Sequence, residues 1–270
     1  MRDVANAHPK ISFNLPNHAL NLACFNLLEN TTMKTRLALL SVLGFGWSFL
    51  SLQADDRPLP KMPDATTAEH ELNQAMKLQH YRMDGNVHCK SHSYPVSIVS
   101  SDWTMTLNFP SENLKYAVCL GPDTKSVQRT GPGGATHDLT PDEFRQHILA
   151  TDITFEDISL SFTLWPCQGD IVEDSIKTLP AWCFTVTRPS GTPSNYGKVK
   201  IWMSSQFHGL LRVDCYDTQN NVIKRWEIND VSETQSGYTL KELMVNTMIP
   251  GRDISASQTF IDISSSEKLP

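Results

Sequence analysis

The segment from His88 to His92 holds the side chains of this sequence that come nearest to a metal site, namely His88, Cys89 and His92. Imidazole and thiolate are the usual zinc ligands, but structural zinc sites space them differently along the chain. In a strand, neighbouring side chains point to opposite faces, so alternation would separate His88 from Cys89. Zinc is therefore disfavoured, and we expect no metal and no other cofactor.

The sequence has none of the common catalytic motifs G-x-S-x-G, H-E-x-x-H or C-x-x-C, and it has no phosphate-binding G-x-x-x-x-G-K-[ST]. Several histidines lie in mostly polar contexts: His70, His80, His137, His147 and His208. None has a visible neighbouring nucleophile or base, which is typical of solvated side chains. We therefore expect a protein that is not an enzyme.

Three acidic residues, Asp152, Glu156 and Asp157, are close enough in the sequence to bind a cation together. Glu156 and Asp157 also follow Thr154, where they would lie in the first turn of a short helix. Carboxylates are stabilised there by the helix dipole. We favour this second interpretation.

The length and charge of the chain limit its class. It has 270 residues, a formal net charge of -6 and 40% hydrophobic residues, which is ordinary for a globular protein. No basic block accompanies the acidic balance, so binding to nucleic acid through phosphate neutralisation is not expected.

The N-terminal fifth of the chain differs from the rest. Lys34 and Arg36 precede an apolar run of about a dozen residues that ends near Ala54, as in a secretory signal peptide. We expect a mis-assigned extension over residues 1–32, a cleaved signal peptide over 33–54, an extended lead-in over 55–66 and a single domain over 67–270. The protein would then be exported to the periplasm in soluble form.

Export changes the interpretation of the cysteines, because disulfides persist in oxidising compartments. Five cysteines would remain, at positions 89, 119, 167, 183 and 215. A turn-rich and charged segment separates Cys167 from Cys183, so this pair is the first candidate for a bridge.

Beyond a predicted helix that begins near Thr66 or Thr67, the hydrophobic period is two. The clearest run is 103–109. Similar runs, separated by short turns, cover 83–92, 96–101, 114–120, 181–187, 198–204, 210–216, 222–228 and 240–248. Together they predict about ten strands in an antiparallel meander. Thr140 and Glu143 predict a small helical insertion through a capping box. The fold class is therefore mainly β (α+β), with a curved antiparallel sheet, a long N-terminal helix and a short helical insertion.

Two stretches carry a family resemblance. One begins at Asp152 with the pattern D-x-T-x-E-D-x-x-x-x-F, and the other runs from Lys200 and Trp202 through Tyr216 and Asp217 to Lys224 and Arg225. Together they resemble the wider, uncharacterised branch of the outer-membrane lipoprotein-sorting (LolA-like) group, over roughly residues 68–250.

The resemblance implies an unclosed LolA/LolB-like β-barrel whose concave face is covered by helices, with the insertion acting as a lid. It also implies a soluble carrier that holds the acyl chains of lipoproteins or lipids in a hydrophobic cavity. The implied partners are an acylated lipoprotein or lipid, an inner-membrane release complex and an outer-membrane acceptor. We expect a monomer.

Apolar strand and helix faces are candidates for lining that cavity. They comprise Leu72, Met76, Trp103, Met105, Leu107, Phe109, Phe162, Val199, Ile201 and Met203. If helices instead fill the concave face, these residues are simply core, as apolar strand faces usually are. The alternative function is then a non-catalytic binding or scaffold protein of the cell envelope with a filled core.

Overall fold

The computed structural model describes residues 62–270, apart from residues 77, 207, 208, 235 and 236. The predicted extension over 1–32, the signal peptide over 33–54 and most of the lead-in over 55–66 lie outside these residues.

The described chain forms one antiparallel sheet of thirteen strands. The first six are β1 (Leu78–Cys89), β2 (His92–Asp102), β3 (Thr104–Phe109), β4 (Leu114–Leu120), β5 (Lys125–Thr130) and β6 (Thr136–Asp138). The others are β7 (Cys167–Ile176), β8 (Leu179–Thr187), β9 (Lys198–Ser204), β10 (Leu210–Tyr216), β11 (Val222–Thr234), β12 (Gly237–Met248) and β13 (Ser255–Lys268).

The strand order shows how the sheet is built. It runs β6-β5-β4-β3-β2-β1-β13-β12-β11-β10-β9-β8-β7, so two meanders meet where β1 pairs with β13. Consecutive strands β6 and β7 therefore lie at opposite edges of an unclosed sheet. The chain between them, residues 139–166, must cross the sheet from edge to edge, and we call it the crossing segment.

The β1–β13 junction depends on a glycine. The register shifts between Asp84 and Gly85, which marks a bulge in β1. A Cβ atom at Gly85 would lie 2.0 Å from the backbone oxygen of Asp262 on β13. Only glycine permits this approach, because any side chain would push the two meanders apart.

The helices are few and short. Helix α1 (Ala65–Ala75) begins after Asp64, whose side chain accepts a hydrogen bond from the Thr67 amide at 2.8 Å. Asp64 thus caps the helix instead of Thr66 or Thr67, and at eleven residues the helix is shorter than predicted. No helix in residues 62–270, as far as they are described, is long and apolar enough to cross a membrane.

The meander is confirmed, but its strands outnumber the prediction. The bounds of β4, β9 and β10 match the predicted runs. Strands β5, β6, β7 and β13 were not predicted, because they are polar or lie at an edge. The capping box at Thr140 and Glu143 is present, but it opens a 3-10 turn (Glu143–Arg145) and not a longer helix.

The structure does not bring the candidate disulfide partners, Cys167 and Cys183, together. The segment between Cys167 and Cys183 is no loop, since β7 and β8 form a hairpin in which Cys167 lies opposite Val186 and Cys183 opposite Val172. The two thiols are therefore several residues out of register. All five cysteines of the described chain are free.

Candidate functional site

The crossing segment carries the acidic motif, and it begins its short helix where the sequence predicted. Helix α2 (Phe155–Ser159) is capped by Thr154, whose side chain accepts from the Asp157 amide at 3.2 Å. The Asp157 carboxylate accepts in return from the Thr154 amide at 2.7 Å. This reciprocal capping box satisfies two backbone donors that the helix itself leaves free.

Asp157 also anchors the crossing segment to the sheet. Its carboxylate, 1% exposed, accepts hydrogen bonds from the Tyr196 hydroxyl at 2.5 Å and from the Lys224 ammonium at 2.5 Å. Lys224, on β11, donates a second bond to the backbone oxygen of Asp152 at 2.7 Å. Burial, with the neighbouring Asp157 charge, raises the pKa of Tyr196 well above its ordinary value, so the phenol stays protonated and donates.

Asp152 anchors the segment to β12 and β13. It accepts bonds from the hydroxyls of Thr247 at 2.6 Å and Thr259 at 3.0 Å, and also from Ser257. Burial alone would raise the pKa of Asp152, but these hydroxyl donors together hold it below its usual value. The carboxylate is therefore ionised at neutral pH.

Glu156 anchors the other side of α2. It accepts from the Ser194 hydroxyl and from the Asn195 amide, the latter at 3.1 Å. Burial outweighs these bonds and raises the pKa of Glu156. All three acids are thus occupied by protein donors, which supports the structural interpretation of the motif over a cation site.

Beneath the crossing segment lies an apolar cavity on the inner face of the sheet. Its volume is about 60 Å³. Six strands, β2 to β4 and β11 to β13, and the segment around α2 supply its wall. The lining comprises Ile98, Met105, Leu107, Leu120, Ile153, Ile158, Leu160, Trp226, Leu240, Leu243, Val245 and Ile261, with Asp157 as the one acidic residue.

Phe162, the last residue of the acidic motif, does not line the cavity but packs behind one of its wall residues. Its ring packs edge-on against Trp226 with centroids 6.0 Å apart, and Phe162 is 0% exposed. At the other end of α2, Phe155 packs against Tyr116 at 5.0 Å. Aromatic contacts therefore hold the segment at both ends, and buried polar bonds hold it between them.

The structure brings only part of the predicted cavity face together. Met105 and Leu107 line the cavity. Six other predicted residues are buried but do not line the cavity: Phe109, Val199, Ile201 and Met203 on strands, and Leu72 and Met76 at α1. Trp103 is half-buried against the core, and Phe162 contacts the cavity only through Trp226.

The sequence analysis missed most of the lining on β11 to β13. Strand β12 was predicted from residue 240, so Leu243 and Val245 could have been found from its alternation. Ile261 could not, because β13 is rich in serine and was not recognised as a strand. Ile153, Ile158 and Leu160 lie inside the motif, but no spacing rule places them over a cavity.

The considered zinc ligands do not converge. Cys89 faces inward, where its thiol donates to Asp152 at 3.3 Å, whereas His88 stacks on Phe260 with centroids 5.3 Å apart. Among the described residues, no group of three or more His, Cys, Asp or Glu side chains is placed to hold a metal ion. Burial raises the pKa of the Cys89 thiol, which makes it a poor nucleophile.

The second motif stretch lies mainly on the outer face. Trp202 is covered by Lys200 and Arg212, whose charges lie 4.7 Å and 4.8 Å from its ring centroid. Its indole donates to Asp174 at 2.8 Å, and Arg212 and Arg225 both pair with Asp214. These residues tie β7, β9, β10 and β11 together; Lys224 alone turns inward to Asp157.

Comparisons with known proteins agree with this architecture. A family model described as an uncharacterized protein family matches residues 134–267, which include the crossing segment and β7 to β13. A search of curated proteins finds no match.

Three solved structures share the fold. A putative outer membrane lipoprotein-sorting protein domain from Vibrio parahaemolyticus superposes with a TM-score of 0.60 at 9% identity, covering 76% of this chain and 93% of that one. A DUF1329 family protein from Desulfovibrio piger gives 0.56 at 16% identity, with 76% and 94% covered. A LolA superfamily protein from Nitrosomonas europaea gives 0.51 at 13% identity, with 76% and 94% covered.

The predicted resemblance is thereby confirmed at the level of the fold. This chain shares with the outer-membrane lipoprotein-sorting domain and the LolA superfamily protein a large antiparallel sheet. At these identities the likeness shows the fold alone.

Proposed function

We propose that this protein is an exported, periplasmic carrier that binds the acyl chain of a lipid or lipoprotein in the cavity beneath the crossing segment. The observation that carries the proposal is the lining, in which twelve of thirteen residues are apolar. Small-molecule sites are typically concave and mostly apolar, with only a few polar groups. An alkyl chain is the ligand whose chemistry matches such walls.

The energetic reason for a carrier is the exposure of alkyl chains to water. Each methylene buried from water contributes about 0.8 kcal/mol, so an acyl chain gains strongly from an apolar cavity. Transfer then needs no covalent step, and we propose that the protein is not an enzyme. The buried thiol of Cys89, whose pKa is raised, supports that proposal.

The crossing segment would act as a fixed cover more than as a freely moving lid. Its ion pair between Lys224 and Asp157 has side chains 7% and 1% exposed, and opening the segment would leave both charges unpaired. We therefore propose that a ligand enters past the edge of the segment and leaves its anchors in place. The partners follow from the cargo: an acylated lipoprotein or lipid, with membrane complexes that release and accept it.

Binding of a fluorescent fatty-acyl probe to the full chain tests the function. The wild type should give a saturable signal that unlabelled lipid displaces. Met105→Arg should abolish the signal, because Met105 lines the cavity and is only half-buried, so the fold tolerates the change.

Val99→Arg is the matched control, since Val99 is 36% exposed on the neighbouring strand β2 and does not line the cavity. It should bind as the wild type does. An interior that excludes every such probe would instead favour the scaffold function with a filled core.

A further inference from the structure

Trp226 stands between the cavity beneath the crossing segment, which we call the main cavity, and a smaller one. The side cavity has a volume of about 10 Å³ and lies along β10 and β11, where Leu211, Val213 and Ile228 line it. Trp226 and Leu243 line both spaces, so these two side chains form the wall between them. The side cavity is about the size of one water molecule, so it matters only as a continuation of the main cavity behind that wall.

The wall lies far along the sheet from the open side of the main cavity. Met105 marks that open side, because it is half-buried whereas every other lining residue is buried. Met105 is on β3 and Trp226 on β11, five strands away in the sheet order. A chain that enters beside Met105 keeps its polar head near water, since burying an unpaired polar group costs free energy. Its methyl end is therefore the part that reaches the wall.

Packing alone fixes the ring that forms the wall. Phe162 of the crossing segment packs edge-on against Trp226, with centroids 6.0 Å apart. The indole N–H is buried and makes no hydrogen bond to any described residue. An unpaired buried donor costs free energy, so the polar atom does not explain a tryptophan at this position. What the indole supplies there is a large, rigid apolar surface.

We propose that Trp226, together with Leu243, sets the length of the acyl chain that the protein accepts, because the terminal methyl group stops against the indole. This inference rests on the proposed function and narrows its ligand class to chains up to a fixed length. Each methylene that reaches apolar wall raises the affinity about four-fold. A methylene beyond the limit has no place in the cavity and gains nothing.

A series of straight-chain acyl methyl esters tests this role on the full chain, with affinities measured by displacement of the fluorescent acyl probe. The wild-type affinity should rise with chain length and then level off at a definite length. Trp226→Ala joins the two cavities, so its affinity should continue to rise beyond that length. Two methylenes past the wild-type limit should raise the affinity of the variant about ten-fold and leave that of the wild type unchanged.

Phe184→Ala is the matched control, because Phe184 is also a buried aromatic residue, 1% exposed, but lines neither cavity. It should lower the melting temperature through the void that it opens and keep the wild-type length limit. Trp226→Leu removes less packing than Trp226→Ala and should move the limit in the same direction by less. Thermal melts establish that each variant is folded, and Trp226→Leu decides the test if Trp226→Ala is not.

The outcomes separate this role from the carrier function. A wild-type affinity that rises evenly with chain length, or a limit that stays the same in the folded Trp226 variants, overturns the role of Trp226 and leaves the carrier function standing. A limit that moves equally in Phe184→Ala also overturns it, because any loosening of the core would then suffice. Failure of the wild type to bind any ester overturns both.

Discussion

The inner face of the sheet differs between its two ends. Over β8 and β9, which we call the solid half, Val199, Ile201 and Met203 are 0% exposed and do not line the cavity beneath the crossing segment. Over β2–β4 and β11–β13, the hollow half, residues such as Leu243 and Ile261 are also buried but face empty space. Burial alone therefore does not distinguish packed core from a binding wall; the atoms opposite each side chain decide which it is.

The crossing segment accounts for this difference. It enters from β6 over β4 and β5, where α2 packs, and its 3-10 turn (Ser161–Leu164) packs against β8 and α1. Above the hollow half, the polar anchors of Asp152 and Asp157 and the ring contacts of Phe155 and Phe162 hold it to the sheet. Those anchors hold it in place over the cavity without filling the space beneath.

Lys224→Met is expected to have the largest effect, because it removes the partner of a buried carboxylate and leaves the Asp157 charge unpaired. We expect a loss of about 3–5 kcal/mol in the free energy of unfolding, measured by urea denaturation. The control Lys241→Met breaks an exposed pair with Asp230 and should leave stability unchanged. A Lys224→Met protein as stable as the wild type would show that the anchor does not hold the cover.

Truncating one isoleucine in each half tests the comparison directly. Ile201→Ala opens a new void in the solid half and should cost about 3–5 kcal/mol. Ile261→Ala enlarges a space that exists already, so its loss should be close to the transfer term alone, about 2 kcal/mol. Equal losses in urea denaturation would mean that the two halves are packed alike.

Acid should weaken the cover through Asp152. Because the folded protein holds the pKa of Asp152 below its ordinary value, the carboxylate contributes stability above its unfolded-state pKa. That contribution is lost as the pH falls through the lowered, folded-state value. Asp152→Asn should therefore lower stability at neutral pH by about 1–3 kcal/mol and flatten the fall in stability below the ordinary pKa of an aspartate.

Thermal melts from neutral pH into the acid range measure that slope. The control Asp123→Asn alters an exposed turn and should follow the wild-type profile. If the stability of Asp152→Asn fell with pH in parallel with that of the wild type, Asp152 would not be the source of the acid sensitivity.

Much of the fold could be predicted from the sequence. Period-two runs gave the bounds of β9 and β10, and the helix at Thr154 followed from its capping residues. Strand β13 was not predicted because its serines have little preference for strands. Strand β7 was not predicted because it lies at the edge of the sheet, where its residues are exposed and charged. The pairing of β1 with β13, about 180 residues apart, leaves no local pattern.

The site was less predictable for a physical reason. Alternation around Met105 and Leu107 looks the same as alternation around Val199 and Ile201, since both indicate a buried face. Only the path of the crossing segment decides which face meets solid protein. That path follows from strand order, which depends on contacts distant in the sequence.

Placing a large side chain in each half, and then measuring acyl-probe binding, tests the central claim most directly. Val245→Phe places a larger side chain in the cavity, where there is space for it, so the protein should keep its melting temperature. Its affinity for the fluorescent acyl probe should fall at least about ten-fold, because the phenyl ring occupies the space of the acyl chain. Val199→Phe, in the solid half, should lower the melting temperature, because overpacking strains a filled core. Unchanged probe affinity in a folded Val245→Phe protein would contradict the account, because the acyl chain would then bind outside the cavity.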